Sequence, residues 1–373
     1  MTAYRFTFLN LLASKHGSKD PNQLEELTKQ WMSEHRSFDA VISSPVPAPL
    51  ETAEHLSTVL ESSLKIITSW QTPPGSRTDW HTYLHAGATL QSLFSLPPGK
   101  YLIVPQPQLL RFILAAIFGG IPTAAAHQPN FLLTKYTTIT LDFEPKETRW
   151  HVREIAQPPD YHPPALSPAE YHITFVRHGE SLGNLQRLFQ GQKEYPLSDA
   201  GRQQAHTLAE TLSKNGRAYQ KIITSPQERA LETAQIIADK LSLEPDIEPL
   251  WKEVDNGLLA GLTREEADEL QINRDDLTNP YIPLGQHGES WWELYFRSGK
   301  ALHNLLKNPP GSYLVVAHGG VLNAALWSIL GLAPQPGGFT PTFQLKNTSP
   351  TALRFNSATQ RWLFLSLSKT PLP

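Results

Sequence analysis

The sequence predicts an α/β protein of two three-layer α/β/α domains, each built around a mostly parallel central sheet. Three observations carry that expectation. The chain has 373 residues, too many for one small domain and suited to two. Short apolar runs alternate with segments of helical period, as expected when helices cover both faces of a sheet. The first half of the sequence is also echoed, in order, by the second.

The elements follow in order, each with its echo. Tyr4 to Phe8 (YRFTF) returns as Tyr171 to Phe175 (YHITF) at an offset of 167. VISSPVPAPLETAEHLSTVL (41–60) returns as IITSPQERALETAQIIADKL (222–241) at 181, and Trp70 falls on Trp251 at the same offset. GKYLIVPQPQLL (99–110) returns as GSYLVVAHGGVL (311–322) at 212, a register that holds through Arg149-Trp150 and Arg361-Trp362. HITFV, KIIT and YLVVA are short apolar runs that suit buried parallel strands. Each is followed by a polar turn and then by helical spacing, as in RALETAQIIADKL. The pattern reads as a tandem duplication. Between the copies, QPPDYHPPALSPAE (157–170) has five prolines in fourteen positions and reads as a semi-rigid linker. The expected domains are therefore residues 1–156 and 171–373.

Composition narrows the function classes. Hydrophobic residues make up 40% and charged residues 18%, which supports real cores and excludes wholesale disorder. A net charge of −3 gives no basic excess, so neither nucleic acid nor an anionic membrane is expected as a partner. With no cysteine, a disulfide framework, a thiolate metal site and a cysteine nucleophile are excluded together. The apolar run at the N-terminus is broken by Asn10 and imitates a signal peptide only weakly. The longest apolar stretch, from residue 109, contains Arg111, two glycines and a proline, unlike a membrane span. A soluble, cytoplasmic protein is expected.

Ligands in parallel α/β sheets bind beyond the carboxyl ends of the strands. In the second copy those ends carry Arg177-His178-Gly179-Glu180-Ser181, Ser225-Pro-Gln-Glu-Arg229 and His318-Gly319-Gly320. Two arginines and two histidines converge there. Arginine presents paired donors that suit phosphoryl oxygens. Gly179 and Gly319 are expected to leave backbone amides open to an anion at helix starts. With no thiol and no HExxH motif, histidine is the available nucleophile. A carboxylic acid is then needed for the leaving oxygen, and Glu253 in LWKEVDNGLLAGLT is the best candidate, with Glu180, Glu228 and Asp255 as rivals.

Residues 170–373 resemble a histidine phosphatase of the phosphoglycerate-mutase-like superfamily: RHG after a strand is followed in order by SPxxRAxxTA, ExxxG and AHGG. The resemblance implies that His178 attacks phosphorus while Arg177, Arg229 and His318 clamp the phosphoryl oxygens. It further implies that Asn184 contacts the phosphoryl group, that Glu253 serves as acid and then base, and that no metal or other cofactor is required. Ser181, Gln190 and Gly191 match positions that line the substrate pocket in relatives, and Gly319 is counted with them. His287-Gly288-Glu289-Ser290 repeats the letters HGES but has no strand before it, and resembles the family's helix-opening GES segment. Lys15-His16-Gly17-Ser18 imitates RHG out of register. Trp291 and Trp292 are expected in the core, and Arg264 is a candidate substrate contact.

The first copy lacks this set. Asn10, Leu11, Ala48, Thr72 and Gln106 fall where the second copy has Arg177, His178, Arg229, Glu253 and His318. The interval from Thr72 to Gln106 is 34 residues, against 65 from Glu253 to His318, so substrate loops are missing as well. A catalytically inactive domain is expected, kept for packing, ligand binding or homodimer formation. The insert before His318 is shorter than in mutase relatives and favours a metal-independent phosphatase of small phosphorylated metabolites. GLLAGLT, lacking the aromatic and acidic residues of the phosphatase-like GxWEG pattern, pulls toward a mutase. A non-enzymatic interaction protein built on two phosphatase folds is the alternative from another class.

Overall fold

The computed structural model describes residues 3–11, 22–71, 79–118, 131–159, 161, 163–270, 278–338 and 340–367. The chain divides into two compact units, Met1–Pro164 with Pro341–Phe343, and Ala165–Thr340 with Gln344–Leu372. The mixed α/β class is as expected. The division falls at Pro164, inside the proline-rich stretch, but that stretch is not free chain at its start. Gln157 and Tyr161 are buried. The excursion of residues 341–343 into the first unit was not foreseen.

In the first unit the elements are β1 (Tyr4–Leu9), α1 (Gln23–Ser33), β2 (Ala40–Ser43), α2 (Pro47–Val59), β3 (Ser63–Ile66), α3 (Asp79–Leu93), β4 (Lys100–Val104), α4 (Pro107–Ile117), β5 (Thr138–Glu144) and β6 (Arg149–Ala156). The sheet order is β3-β2-β4-β1-β5-β6, parallel except where β5 pairs with β1 and β6. Strand period explains the layers. Leu9, Val41, Leu102 and Val104 share one cluster with Leu27 and Trp31 of α1 and with Ala53 and Leu56 of α2. Phe6, on the other face of β1, meets Phe94 just beyond α3, and α3 packs on α4.

The second unit contains β7 (Glu170–Arg177), α5 (Leu182–Leu185), α6 (Asp199–Lys214), β8 (Lys221–Thr224), α7 (Glu228–Leu241), β9 (Pro245–Ile247), α8 (Arg264–Glu269), α9 (Trp291–Leu305), β10 (Ser312–Ala317), α10 (Gly319–Leu330), β12 (Pro350–Asn356) and β13 (Arg361–Leu367). The short β11 (Thr342–Phe343) groups with the first unit, where it pairs in parallel with β6. The second sheet runs β9-β8-β10-β7-β12-β13, again parallel except at β12.

Strand for strand this is the order of the first unit, and the likeness reaches single residues. The β5–β6 ladder shifts register between Thr140 and Leu141, and the β12–β13 ladder between Ala352 and Leu353, each 212 residues on. Left-handed backbone recurs at Glu61 and Ser242, at Tyr136 and Thr348, and at Thr148 and Gln360. The Tyr4 hydroxyl donates to the carbonyls of Phe94 and Leu96, and the Tyr171 hydroxyl to those of Leu306 and Asn308.

Candidate active site

Parallel register builds the site. Arg177, the last residue of β7, pairs with Ala317, the last residue of β10. The next residue on each strand is a histidine, so His178 and His318 lie side by side with ring centroids 5.1 Å apart. On the other side of β10, β8 ends at Thr224 opposite Val316. That brings Ser225 to His318, whose Nε2 is 2.8 Å from the Ser225 hydroxyl. Arg229 follows in the first turn of α7.

His178 Nδ1 is 2.7 Å from the Gly179 carbonyl. A carbonyl only accepts, so Nδ1 carries the proton and Nε2 keeps its lone pair in the neutral ring. Burial, reinforced by the charges of Arg177 and Arg229, holds His178 well below the ordinary histidine range. Burial does the same to His318, with Arg229, His178 and Arg177 adding to it. Both rings are therefore neutral at physiological pH.

The two arginines are held by carbonyls. Arg177 Nη1 donates to Leu345 O at 3.0 Å. Arg229, only 1% exposed, donates from Nη1 to Lys193 O and from Nη2 to Gly191 O, both at 2.9 Å. Burial lowers both guanidinium pKa values and the charge of Glu253 opposes it, but both groups stay protonated. At this site three buried nitrogens find no hydrogen-bond partner among the described residues: Arg177 Nε, Arg229 Nε and His318 Nδ1. Buried polar nitrogens are ordinarily satisfied, so three at one site are an unusual concentration.

Glu253 sits at the N-terminus of α10, a position that suits a negative group. Its Oε2 accepts from Gly320 N at 3.1 Å, and its Oε1 from Val321 N at 3.1 Å and Val254 N at 2.9 Å. Gly320 has no room for a side chain, since a Cβ there would lie 2.5 Å from Glu253 Oε1. Two rival carboxylates are engaged elsewhere, Glu180 Oε1 accepting from the Ser198 hydroxyl and Asp255 Oδ1 from Gly257 N, and the third, Glu228, is exposed at the start of α7.

The remaining sequence candidates behave differently. Asn184 Oδ1 accepts from Ser181 N at 3.1 Å and from Asn347 Nδ2 at 3.3 Å. The Ser181 hydroxyl caps α5 and lies within bonding distance of Asn184 Oδ1 and Gln190 Oε1, so its hydrogen-bonding capacity is used inside the fold. Gly191 contributes its carbonyl to Arg229 and Gln227. Gly319 begins α10 with its Cα side toward Arg177, where a Cβ would be 3.8 Å from Nε. The expectation for Gly179 is corrected. Its amide donates to Thr233 Oγ1 at 3.0 Å, and a Cβ would lie 2.5 Å from Gly201 O, so this glycine permits close backbone approach rather than anion binding.

Sequence reasoning gave no role to Asn347 or Gln227. Asn347 Nδ2 donates to His178 O at 2.7 Å. Gln227 accepts from Glu253 N at 2.7 Å and donates to Gly191 O at 3.1 Å, tying the acid segment to the Arg229 loop. Ser290 caps α9 in a capping box with Glu293, as expected for the HGES segment. Lys15-His16-Gly17-Ser18 and Thr72 lie outside the described residues. Trp291 and Trp292 are both half-buried rather than core; Trp291 meets Trp327 edge-on, and Trp292 stacks on Tyr281 and on Phe296, which are 67% and 65% exposed. Arg264 is exposed on α8. Among the described residues no cluster of His, Asp and Glu is arranged to hold a metal, and no helix is long and apolar enough to cross a membrane.

A histidine pair flanked by two arginines at parallel strand ends suits an α/β protein that handles phosphoryl groups. The chain belongs to the histidine phosphatase superfamily (branch 1), whose family model matches residues 173–368. It is 37% identical over 168 residues to a protein of Yersinia enterocolitica named probable phosphoglycerate mutase GpmB, covering 43% of this chain and 76% of that one. Among solved structures it is similar to a mycobacterial glucosyl-3-phosphoglycerate phosphatase (26% identity, 54% of this chain, 100% of that chain, TM-score 0.47). It is likewise similar to a phosphoserine phosphatase of Entamoeba histolytica (27% identity, 54% of this chain, 98% of that chain, TM-score 0.47).

Proposed function

We propose that the second unit is a metal-independent phosphomonoesterase that works through a phosphohistidine on a small phosphorylated metabolite. One observation carries the reading: Arg177 Nε, Arg229 Nε and His318 Nδ1 are buried beside His178 with no acceptor among the described residues. Two arginine donors, with His318 Nδ1 as a third when its Nε2 accepts the Ser225 hydroxyl, suit a phosphoryl group, whose charge spreads over its outer oxygens during transfer. His178 Nε2 attacks phosphorus, the N–P bond forms, and the P–O bond to the leaving group breaks in line. Glu253 gives its proton to the departing oxygen. It then takes a proton from water, whose oxygen attacks phosphorus, so inorganic phosphate leaves and His178 is restored. Asn184, Gln190, Gly191 and Gly319 border this path in the reading.

The test is rapid quenching of enzyme with 4-nitrophenyl phosphate in excess chelator. An acid-labile phosphoprotein is expected, absent in His178→Ala, with turnover unaffected by the chelator. A wild-type enzyme that releases no phosphate and traps no phosphoprotein would refute the reading. The name of the Yersinia relative favours a second one, phosphoglycerate mutase-type transfer. Isomerisation of 3-phosphoglycerate to 2-phosphoglycerate without phosphate release would select it.

We further propose that the first unit, residues 1–156 in the sequence reading, is a degenerate copy of the second and does no phosphoryl chemistry. The shared strand order and the register shifts at Thr140/Leu141 and Ala352/Leu353 support descent from one domain. Where Arg177 stands in one, Asn10 stands in the other, donating from Nδ2 to Thr134 O at 2.8 Å. The Thr134 and Thr137 hydroxyls donate to Gln157 Oε1, so the polar groups at that end satisfy one another. The quench experiment checks this too: phosphorylation beyond one group per chain, surviving in His178→Ala, would count against it.

A further inference from the structure

Arg297, in the middle of α9, carries a guanidinium with five N–H donors, and all five are engaged within the protein. Nε donates to Glu289 Oε1 at 2.7 Å and Nη2 to Glu289 Oε2 at 2.6 Å, a two-point ion pair. Nη1 donates to the carbonyls of Leu250 and Lys252, both at 2.8 Å, and Nη2 also reaches Glu253 O at 3.2 Å. Glu289 completes the bracket, because its own backbone amide donates to Asp255 O at 2.8 Å. The carbonyls of residues 250, 252, 253 and 255 are thus held by one pair of mostly buried residues, with Glu253 between them.

The next turn of chain packs equally tightly on this segment. A Cβ on Gly288 would lie 2.3 Å from Asp255 O, and one on Gly285 2.3 Å from Asn256 O. With its donors spent, Arg297 has none to offer a phosphoryl oxygen, unlike Arg177 and Arg229.

We propose that the Arg297–Glu289 pair positions the proton-transferring carboxylate. By fixing the backbone of residues 250–255, it keeps Glu253 seated on the Gly320 and Val321 amides and aimed at the leaving oxygen. The proposal rests on the phosphomonoesterase reading above. Arg297 exchanges no proton. The proton moves from Glu253 to the leaving oxygen as the P–O bond breaks and the N–P bond to His178 forms. Arginine is required because one planar fork must reach two carboxylate oxygens and three carbonyls, which the three donors of a lysine ammonium, radiating from a single atom, do not span.

The experiment compares kcat/KM for a series running from 4-nitrophenyl phosphate through phenyl phosphate to a simple alkyl phosphate. Good leaving groups depart without protonation and poor ones need it, so displaced general acid catalysis appears as a steeper dependence on leaving-group pKa. For Arg297→Lys we expect kcat/KM within about threefold of wild type on 4-nitrophenyl phosphate and roughly ten- to a hundredfold lower on the alkyl phosphate, part of the full contribution of a general acid. Glu253→Gln sets the limiting slope, and Glu289→Gln, of nearly equal volume, should fall between. An equal loss across the series with the wild-type slope would overturn the proposal. So would a loss confined to KM, or failure of both variants to fold by circular dichroism, which would make the pair a stability element. An acid-labile phosphoprotein in the wild type with an unchanged slope in the variants refutes only this inference. Its absence in the wild type, with no turnover, refutes the phosphomonoesterase reading as well.

Discussion

Gly201→Ala sets two opposing effects against each other at one atom. Gly201 is the third residue of α6, where alanine would ordinarily stabilise by about 1 kcal/mol. Here its Cβ would stand 2.0 Å from Glu180 O and 2.8 Å from Glu180 C and N. A carbon and a carbonyl oxygen rest about 3.3 Å apart, so the two backbones must separate by roughly 1.3 Å. Glu180 cannot yield by itself. Its carbonyl accepts from Ser198 N at 2.8 Å, its amide donates to Gln204 Oε1 at 2.9 Å, and its carboxylate takes the Ser198 hydroxyl. Overpacking of this kind costs about 1–3 kcal/mol, which cancels or exceeds the helix gain and leaves a net loss of about 0–2 kcal/mol. For a unit of this size that is a drop in Tm of up to about 8 °C, at about 2–4 °C per kcal/mol. Activity suffers more, because the displaced turn carries His178. A shift on the order of 1 Å there should lower kcat/KM by about a hundredfold. Thermal unfolding by circular dichroism and hydrolysis of 4-nitrophenyl phosphate read the two effects separately. A higher Tm with wild-type kcat/KM would show that the contact between these two backbones is not what holds the RHG turn.

Two further outcomes follow from buried polar groups. His172, His178 and His318 are all held well below the ordinary histidine value of 6.5 by burial, so the unfolded chain takes up protons before the folded one does. Stability is therefore complete above pH 6.5 and falls as pH drops below it, by up to about 4 kcal/mol at pH 5.5 for the three together. Urea unfolding at pH 7.5 and 5.5 should show the fall, His172→Leu should remove about a third of it, and equal stability at the two pH values would contradict the neutral assignment of these rings. Gln157→Ala should lower the stability of the first unit by about 1–3 kcal/mol, because the Thr134 and Thr137 hydroxyls lose their acceptor and Leu132 O its donor. Protease resistance of the first unit, followed by mass spectrometry of the cleavage products, checks this, and an unchanged rate would refute it.

What the sequence revealed, and what it hid, follows from how local each signal is. The strands were legible because Tyr4-Arg-Phe-Thr-Phe8 and its echo at Tyr171 are short runs rich in aromatic and β-branched residues that recur in order. The approach of His178 to His318 was legible because both follow such runs. Gly179 was misread because glycine before a helix has two uses. Only the proximity of Gly201, more than twenty residues on, distinguishes backbone contact from an anion seat. Asn347 lies in an unremarkable polar stretch, and an isolated parallel bridge to Arg177, ahead of β12, places it at His178 O. Arg297 was invisible for a related reason, since three of its five acceptors are backbone carbonyls, which carry no side-chain signature. Trp292 was expected inside because tryptophan is apolar, yet Tyr281 and Phe296 cover it only from the surface.

The anchorage of Arg229 restricts how this enzyme's specificity can change. Its two terminal nitrogens are tied to the carbonyls of Gly191 and Lys193, the stretch in which the sequence reading sought substrate contacts. Insertions or deletions between residues 190 and 193 would withdraw the guanidinium together with the loop, whereas exchange of side chains leaves those carbonyls in place. Libraries for new substrates should therefore randomise side chains in this stretch at fixed length.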